Sequence, residues 1–290
     1  HKTGAVKLKK IAVLNDLSGM GKCSLTAAIP VISVMGIQAC PLPTAVLSCQ
    51  TGFPSYYCDD YTDRMDIIID EWKKLNFVPD GIYTGFLADA AQADKAVRFI
   101  REFKTEDTRI LVDPVMGDDG EEYPIYTEEL CAKMRFLVQE ASVITPNLTE
   151  ALLLLYGREK AHTKWKNLQH LSEKEYLSEV EKIGQQLTGQ FQVEAVITGI
   201  SILSEKGETL MGNLICQKDS QTWITTRKEG GSYSGTGDLF ASVLCGGMVK
   251  GMDTVATVQK AVTFISKGIH DAVEEGTDRN EGICFETYLH

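Results

Sequence analysis

Short apolar runs alternate with helix-forming segments over the first two thirds of this 290-residue chain, and that alternation restricts the fold more than any other feature. Residues 9–15, 38–43, 81–86, 109–114, 142–147 and 194–199 read as strands. Between them, 24–35, 59–75, 89–103, 127–139, 149–156 and 172–187 carry helical patterns. Strand, helix, strand in succession joins parallel neighbours by crossovers, and strands covered on both faces read as near-continuous apolar runs. The expectation is a mainly parallel sheet with helices on both sides. Residues 200–204 and 209–216, parted by Glu205-Lys206-Gly207-Glu208, predict a hairpin, and 223–226 predict an edge strand beyond it. Residues 254–273 read as a long helix, 158–171 as a polar, irregular surface insertion, and 44–58 as a loop able to cover a pocket. Residues 1–6 are set aside as a tag remnant or disordered start, leaving 7–290 as one expected domain.

Bulk properties narrow the function. Lys plus Arg number 29 against 40 for Asp plus Glu, a net charge of −11, so general nucleic-acid or anionic-membrane binding is not expected. The eight cysteines are scattered without a C-x-x-C pair, several inside apolar runs, the pattern of reduced thiols in a cytoplasmic protein. The five histidines lack ligand spacing, which argues against a zinc site. No apolar run approaches the roughly 20 residues of a membrane span.

Polar signatures fall at strand ends. Asp16 and Ser18 follow the first strand in a polar turn, and Gly19-x-Gly21-Lys22 within it fails the phosphate-loop pattern: Asp16 stands where the first glycine is required and Cys23 follows the lysine. Asp113-Pro114 leads into an acidic loop, 115–122, which reads either as a solvated turn or as carboxylates around a magnesium–phosphate site. Asn147-x-x-Glu150 opens a helix; a capping box explains that spacing, and it also puts a carboxylate at the edge of the sheet. Thr198-Gly199 ends the sixth strand. Gly235-Thr236-Gly237-Asp238 then passes from a glycine-rich loop into a helix-forming run, 239–249. Free N–H groups and the helix dipole make such a terminus an anion site, and the Asp stands where a general base would. In isolation, an Asp that only caps the helix is the better explanation of the motif.

Taken in order, these signatures resemble the ribokinase-like superfamily of small-molecule kinases, over about residues 9–270. Within it, Asp113-Pro114-Val115-Met116-Gly117-Asp118, Ile144-Thr145-Pro146-Asn147-Leu148-Thr149-Glu150 and Gly235 to Ala241 are most similar to the pyridoxal kinases. Ser48-Cys49-Gln50-Thr51-Gly52 resembles that family's substrate loop. The resemblance implies a three-layer α/β/α sandwich with a mainly parallel central sheet and an antiparallel edge. It implies ATP-dependent phosphorylation of the 5′-hydroxymethyl group of a vitamin B6 vitamer, with Asp238 as catalytic base and the backbone of Gly235, Thr236 and Gly237 as anion hole. Asp113, Asp118, Tyr123, Thr145, Asn147 and Thr198 would contact ATP, and Asp118 and Glu150 would lie at Mg²⁺. Asp16, Ser18, Ser48, Thr51 and Phe86 would surround the pyridine ring. A homodimer and a monovalent cation such as K⁺ are further expectations of the family. Three features depart from its pattern. The 15–23 loop differs from the usual Ser-His loop, Cys49-Gln50 replaces Asn-His, and Phe86 stands where tyrosine is common. Hydroxymethylpyrimidine kinases share the fold and are the alternative. A non-catalytic nucleotide or vitamin carrier would be expected to have lost the base or the glycines, and both are present.

Overall fold

The computed structural model describes residues 7–289; residues 1–6, set aside above, and residue 290 lie outside the described part. The main sheet has nine strands in the order β11-β10-β9-β8-β5-β4-β1-β2-β3. Its parallel centre comprises β1 (Lys10–Ser18), β2 (Gln38–Leu47), β4 (Gly81–Thr84), β5 (Arg109–Val112), β8 (Val143–Ile144) and β9 (Glu194–Leu203). β10 (Thr209–Cys216) and β11 (Gln221–Arg227) add an antiparallel edge, and β3 (Cys58–Asp60) lies antiparallel on the other edge. The expected three-layer α/β sandwich is what forms.

Alternation within the central strands explains the layers. Ala12, Leu14, Ile82, Ile110 and Val112 point to one core. That core is closed by α2 (Thr62–Lys74), α3 (Ala90–Phe103), α4 (Glu128–Gln139), α5 (Leu148–Tyr156), α6 (Arg158–Leu168) and α7 (Glu173–Phe191). Ile11, Val13, Tyr83 and Leu111 point to the other, closed by α1 (Ser24–Val34), α8 (Thr236–Val249) and α9 (Thr254–Glu275). The connection from β1 runs outward to β2, whereas β4 and every later parallel strand is added on the opposite side of β1. The sheet therefore reverses its direction of growth between β1 and β4. A crevice opens at the carboxyl ends of strands flanking such a reversal.

Several sequence expectations need correction. β1 does not stop before Asp16 but continues through Ser18, because its backbone stays paired with β2 across an irregularity between Asn15 and Leu17. β2 likewise continues to Leu47, beyond the predicted end at 43; its pairing with β1 and β3 outweighs the prolines at 41 and 43. The 158–171 segment is not irregular: α6 packs Ala161 and Leu168 on the core with a polar outer face. β9 does not end at Thr198-Gly199 but carries a bulge there. Ile197 pairs with Leu214 and Ile200 with Gly212, leaving two residues opposite one, with Gly199 at φ +72°.

Helix α8 is buried on nearly all sides, from Leu239 through Val249. Consecutive glycines let it approach both neighbours closely. A Cβ on Gly246 would lie 2.6 Å from the Met35 sulfur, and one on Gly247 would lie 2.3 Å from Thr257 Cγ2 on α9. Among the described residues no helix is long and apolar enough to cross a membrane. Replacing Gly247 by Leu should overpack the α8–α9 contact by about 1–3 kcal/mol and lower Tm by several degrees, about 2–4 °C per kcal/mol in a chain of this size. A melt that leaves Tm unchanged would show that the two helices can separate freely.

Candidate active site

The crevice at the sheet reversal converges on Asp238. Gly235, at φ +82°, is the N-cap of α8, and the helix begins at Thr236, so Asp238 lies inside the first turn rather than at the junction the sequence suggested. Position 235 requires glycine twice over: the backbone is left-handed, and a Cβ would lie 2.1 Å from the Lys22 carbonyl oxygen. Three groups from separate elements hold the Asp238 carboxylate. Asn15 Nδ2 donates to Oδ1 at 3.1 Å, Tyr83 OH donates to the same oxygen at 3.1 Å, and the Ser24 backbone N–H donates to Oδ2 at 2.8 Å. Asn15 in turn accepts from the backbone N–H groups of Asp16 and Phe86, both at 3.0 Å, so its amide orientation is fixed. Burial raises the Asp238 carboxyl above its ordinary value, and the hydrogen bonds from Ser24, Asn15 and Tyr83 oppose that shift. The N–H groups of Thr236 and Gly237 have no acceptor among the described residues, as the start of a helix dictates.

Next along the sheet, Asp113 at the end of β5 is 8 % exposed and accepts from Thr145 Oγ1 at 3.2 Å. Burial, then the charge of Asp238, lifts its carboxyl from 3.8 to about 8. A Cβ on Gly237 would come within 3.9 Å of Asp113 Oδ2, so the glycine loop and this carboxyl face each other. Asn147 and Glu150 form a complete capping box at the start of α5. Glu150 is 4 % exposed, its Oε1 accepting from Met116 N at 3.1 Å and its Oε2 from Asn147 N at 2.9 Å. Burial and the neighbouring Asp113 charge push the Glu150 carboxyl well up. Asn147 Nδ2 donates to the Gly117 carbonyl at 2.8 Å, and Thr198 N donates to the Pro146 carbonyl at 2.9 Å. The bulge in β9 thus brings Thr198 beside Asn147.

The acidic 115–122 segment is not an open turn but a hairpin, β6 (Gly117–Asp118) with β7 (Glu121–Glu122). Asp118 is exposed at its tip, and Tyr123 follows, 40 % exposed and within the fields of Glu150, Asp118 and Asp113. Helix α6 braces the hairpin from behind. Arg158 Nε donates to Glu122 Oε1 at 3.0 Å, His162 Nε2 lies 3.0 Å from Oε2, and the Trp165 indole covers Gly120.

On the β1 side, Asp16 is 7 % exposed and both its oxygens are taken, Oδ2 by Ser18 Oγ at 2.8 Å and Oδ1 by Ser24 Oγ at 2.5 Å. These two expected ring contacts therefore face each other and shape the loop into α1. Phe86 is half-buried beside Asn15. Ser48 and Thr51 are exposed on the loop between β2 and β3; Ser48 Oγ accepts from Tyr57 N at 2.9 Å, and Gln50 N donates to the Met20 carbonyl at 3.0 Å, joining this loop to the one after β1. Sequence reasoning missed Asn15, Ser24 and Tyr83 as partners of Asp238. Asn15 left one signal, a polar residue ending an apolar strand run; Tyr83 left none.

The raised Asp113 carboxyl has a consequence for stability. Between the ordinary value of 3.8 and about 8, folded Asp113 keeps a proton that the unfolded chain releases. Stability from this group is therefore full at low pH and declines as pH rises through that window. Asp113→Asn keeps an acceptor for Thr145 and removes the ionisation. Its Tm should exceed that of the parent chain by an amount that grows from pH 5 to about 8 and then levels; a difference that shrinks over that range would contradict the assignment.

Comparison with known proteins agrees with this architecture. A family model described as phosphomethylpyrimidine kinase matches residues 25–282. The fold superposes with TM-score 0.86 on a Bacteroides thetaiotaomicron VPI-5482 protein provisionally described as a phosphomethylpyrimidine kinase, at 37% identity over 99% of this chain and 95% of that one. A second crystal form of a protein so described, containing pyridoxal, matches with TM-score 0.85 at 38% identity over 98% and 95% of the two chains. Pyridoxal kinase from Lactobacillus plantarum matches with TM-score 0.84 at 25% identity over 97% and 95%. The chain therefore belongs to the phosphomethylpyrimidine kinase family, whose kinase fold it shares with the pyridoxal kinases.

Proposed function

We propose that this kinase transfers the γ-phosphoryl group of ATP to the 5′-hydroxymethyl group of a vitamin B6 vitamer, with Asp238 as general base. The observation that carries this reading is the Asp238 carboxylate itself. It is fixed from three sides, raised in basicity by burial, and set in the same helical turn as unpaired N–H groups. A base whose carboxyl titrates nearer the working pH is a better proton acceptor. Oδ2 carries one hydrogen bond, which leaves it open to a substrate hydroxyl. As that proton moves to Asp238, the substrate oxygen attacks the γ-phosphorus, the bond to the β–γ bridging oxygen breaks and ADP leaves, and the open N–H groups of Thr236 and Gly237 with the helix dipole stabilise the charge on the phosphoryl oxygens.

The donor set fits magnesium. Asp113, Asp118 and Glu150 are oxygen donors without an ion-pair partner among the described residues, and Mg²⁺ prefers oxygen ligands and retains water. Asp118 would hold it most directly. Glu150 would act through water, because both its oxygens already accept backbone N–H groups. The ion would neutralise phosphate charge there. A shallow trough of about 320 Å³ lies between β11 and α9, lined by Thr225, Thr226, Val262, Ser266, His270 and Tyr288. It opens beside the loop leading to Gly235, since His270 on its wall meets Glu229 at 3.0 Å.

Two findings bear on the acceptor. The pyridoxal in one relative favours a B6 vitamer, and the family description, phosphomethylpyrimidine kinase, points to a substituted methylpyrimidine, which keeps hydroxymethylpyrimidine as the second reading. Both present a hydroxymethyl group on a flat nitrogen heterocycle, so the same base serves either.

A panel of pyridoxal, pyridoxamine, pyridoxine and hydroxymethylpyrimidine with ATP and Mg²⁺, read by mass spectrometry, tests the acceptor; B6 phosphates should form fastest. Asp238→Asn should lower kcat by on the order of 10²–10⁴ with the fold intact. Turnover by that variant at the parental rate would remove Asp238 from the role of base.

A further inference from the structure

The chain following α9 is not a loose tail. Asp278 caps a short 3-10 turn, Arg279–Glu281, by accepting from Asn280 N at 2.8 Å. The Arg279 carbonyl accepts from Ser234 N at 3.0 Å, directly before the glycine cap of α8. Gln50 Nε2, on the loop between β2 and β3, donates to Asn280 O at 3.2 Å and to Asn280 Oδ1 at 3.0 Å. Lys22 Nζ, on the loop after β1, donates to the Ile283 carbonyl at 3.3 Å. Gly282, at φ +82°, fits between these loops: a Cβ there would lie 3.0 Å from Lys22 Cβ and 3.2 Å from the Ser234 carbonyl oxygen. Residues 279–283 are thus a strap tied to three of the segments around the crevice, the loop after β1, the loop between β2 and β3, and the approach to α8.

That strap delivers a cation to an acidic site. Asp16, Asp113, Asp118, Glu150 and Asp238 form no ion pair within 4.0 Å among the described residues, whereas Asp66, Glu102 and Glu140 on the outer surface each pair with a cation. Arg279 is exposed, and its guanidinium makes neither a hydrogen bond nor an ion pair with the described residues. Its positive field nevertheless reaches Asp118 and Tyr123 across the crevice. A free guanidinium, backbone-anchored beside the α8 N-terminus and facing the Asp118 hairpin, matches the planar fork that binds phosphate oxygens in pairs.

We propose that Arg279 binds the terminal phosphates of the nucleotide, so that the strap after α9 completes the phosphoryl-transfer site. This rests on the kinase reading above. Phosphate oxygens entering this acid-rich crevice meet the charge of its ionised carboxylates, and Arg279 supplies positive charge from the strap tied beside the α8 N-terminus.

The test uses the full chain with Arg279→Met and Arg279→Lys, scored for kcat and KM of ATP, KM of the vitamin, calorimetric affinity for a non-hydrolysable ATP analogue with Mg²⁺, and Tm. Loss of a charge-assisted bond should lower kcat/KM for ATP, or analogue affinity, by about tenfold or more in Arg279→Met. Partial recovery is expected in Arg279→Lys, with vitamin KM and Tm near parental values. Parental ATP kinetics and analogue affinity in Arg279→Met would overturn the proposal. So would an effect on vitamin KM or Tm alone, which would mark the strap as structural. Absence of turnover by the parental chain across the acceptor panel would count against the kinase reading, while analogue affinity would still decide the role of Arg279.

Discussion

The Asp238 carboxylate is held by Asn15 from β1, Tyr83 from β4 and the Ser24 N–H at the start of α1, and much of the molecule serves to bring those donors to one point. A carboxylate enclosed this way loses hydration that only directed hydrogen bonds can replace. Each donor comes from a different element, so its position depends on the sheet register between β1 and β4 and on the seat of α8 against α1. Gly235 and Gly246 set that seat, one by touching the Lys22–Cys23 backbone and the other by admitting Met35 at the end of α1. The basic strength of one side chain is in this sense a property of the sheet and the helical layer packed on it.

Electrostatics explains why so many acidic groups collect at one end of the sheet. Burial raises Asp113, Glu150 and Asp238 most, and neighbouring charge adds to it: Asp238 raises Asp113, Asp113 raises Glu150, and Asp16 raises Asp238. Such a cluster destabilises the fold on its own, as carboxylates without counter-ions do. Stability and chemistry pull in opposite directions there, and the capping box around Glu150 offsets part of the cost through two backbone N–H donors. The hairpin carrying Asp118 is handled differently. It stays exposed at the tip and is anchored behind by Arg158, His162 and Trp165 on a helix that the sequence alone suggested was irregular.

The layers were legible because strand and helix periods differ and the strand ends carry unusual polar residues. Asp113, Thr145, Asn147 with Glu150, and Asp238 were all recognisable by position, and the fold sets them along one edge of the sheet. Helix α6 was not legible, since its apolar contacts are few and its charged face dominates a short window. The bulge at Thr198-Gly199 was read as a strand end because Gly interrupts the apolar run, although pairing with β10 carries the strand onward. Prolines at 41 and 43 hid the second half of β2 in the same way.

By itself, the sequence determined the alternation of elements, the parallel sheet with its antiparallel edge, and the glycine loop followed by an acid at a helix start. These depend on spacing within short windows, where backbone geometry and burial act locally. Only the tertiary structure decided that Asn15 and Tyr83 orient Asp238, that Asp16 turns inward to Ser18 and Ser24, and that the segment after α9 lies across the crevice with Arg279. Those contacts join residues 223 positions apart in Asn15 with Asp238 and 261 apart in Lys22 with Ile283. No local pattern encodes them; they follow from the direction in which the sheet grows and from how closely α8 packs against it.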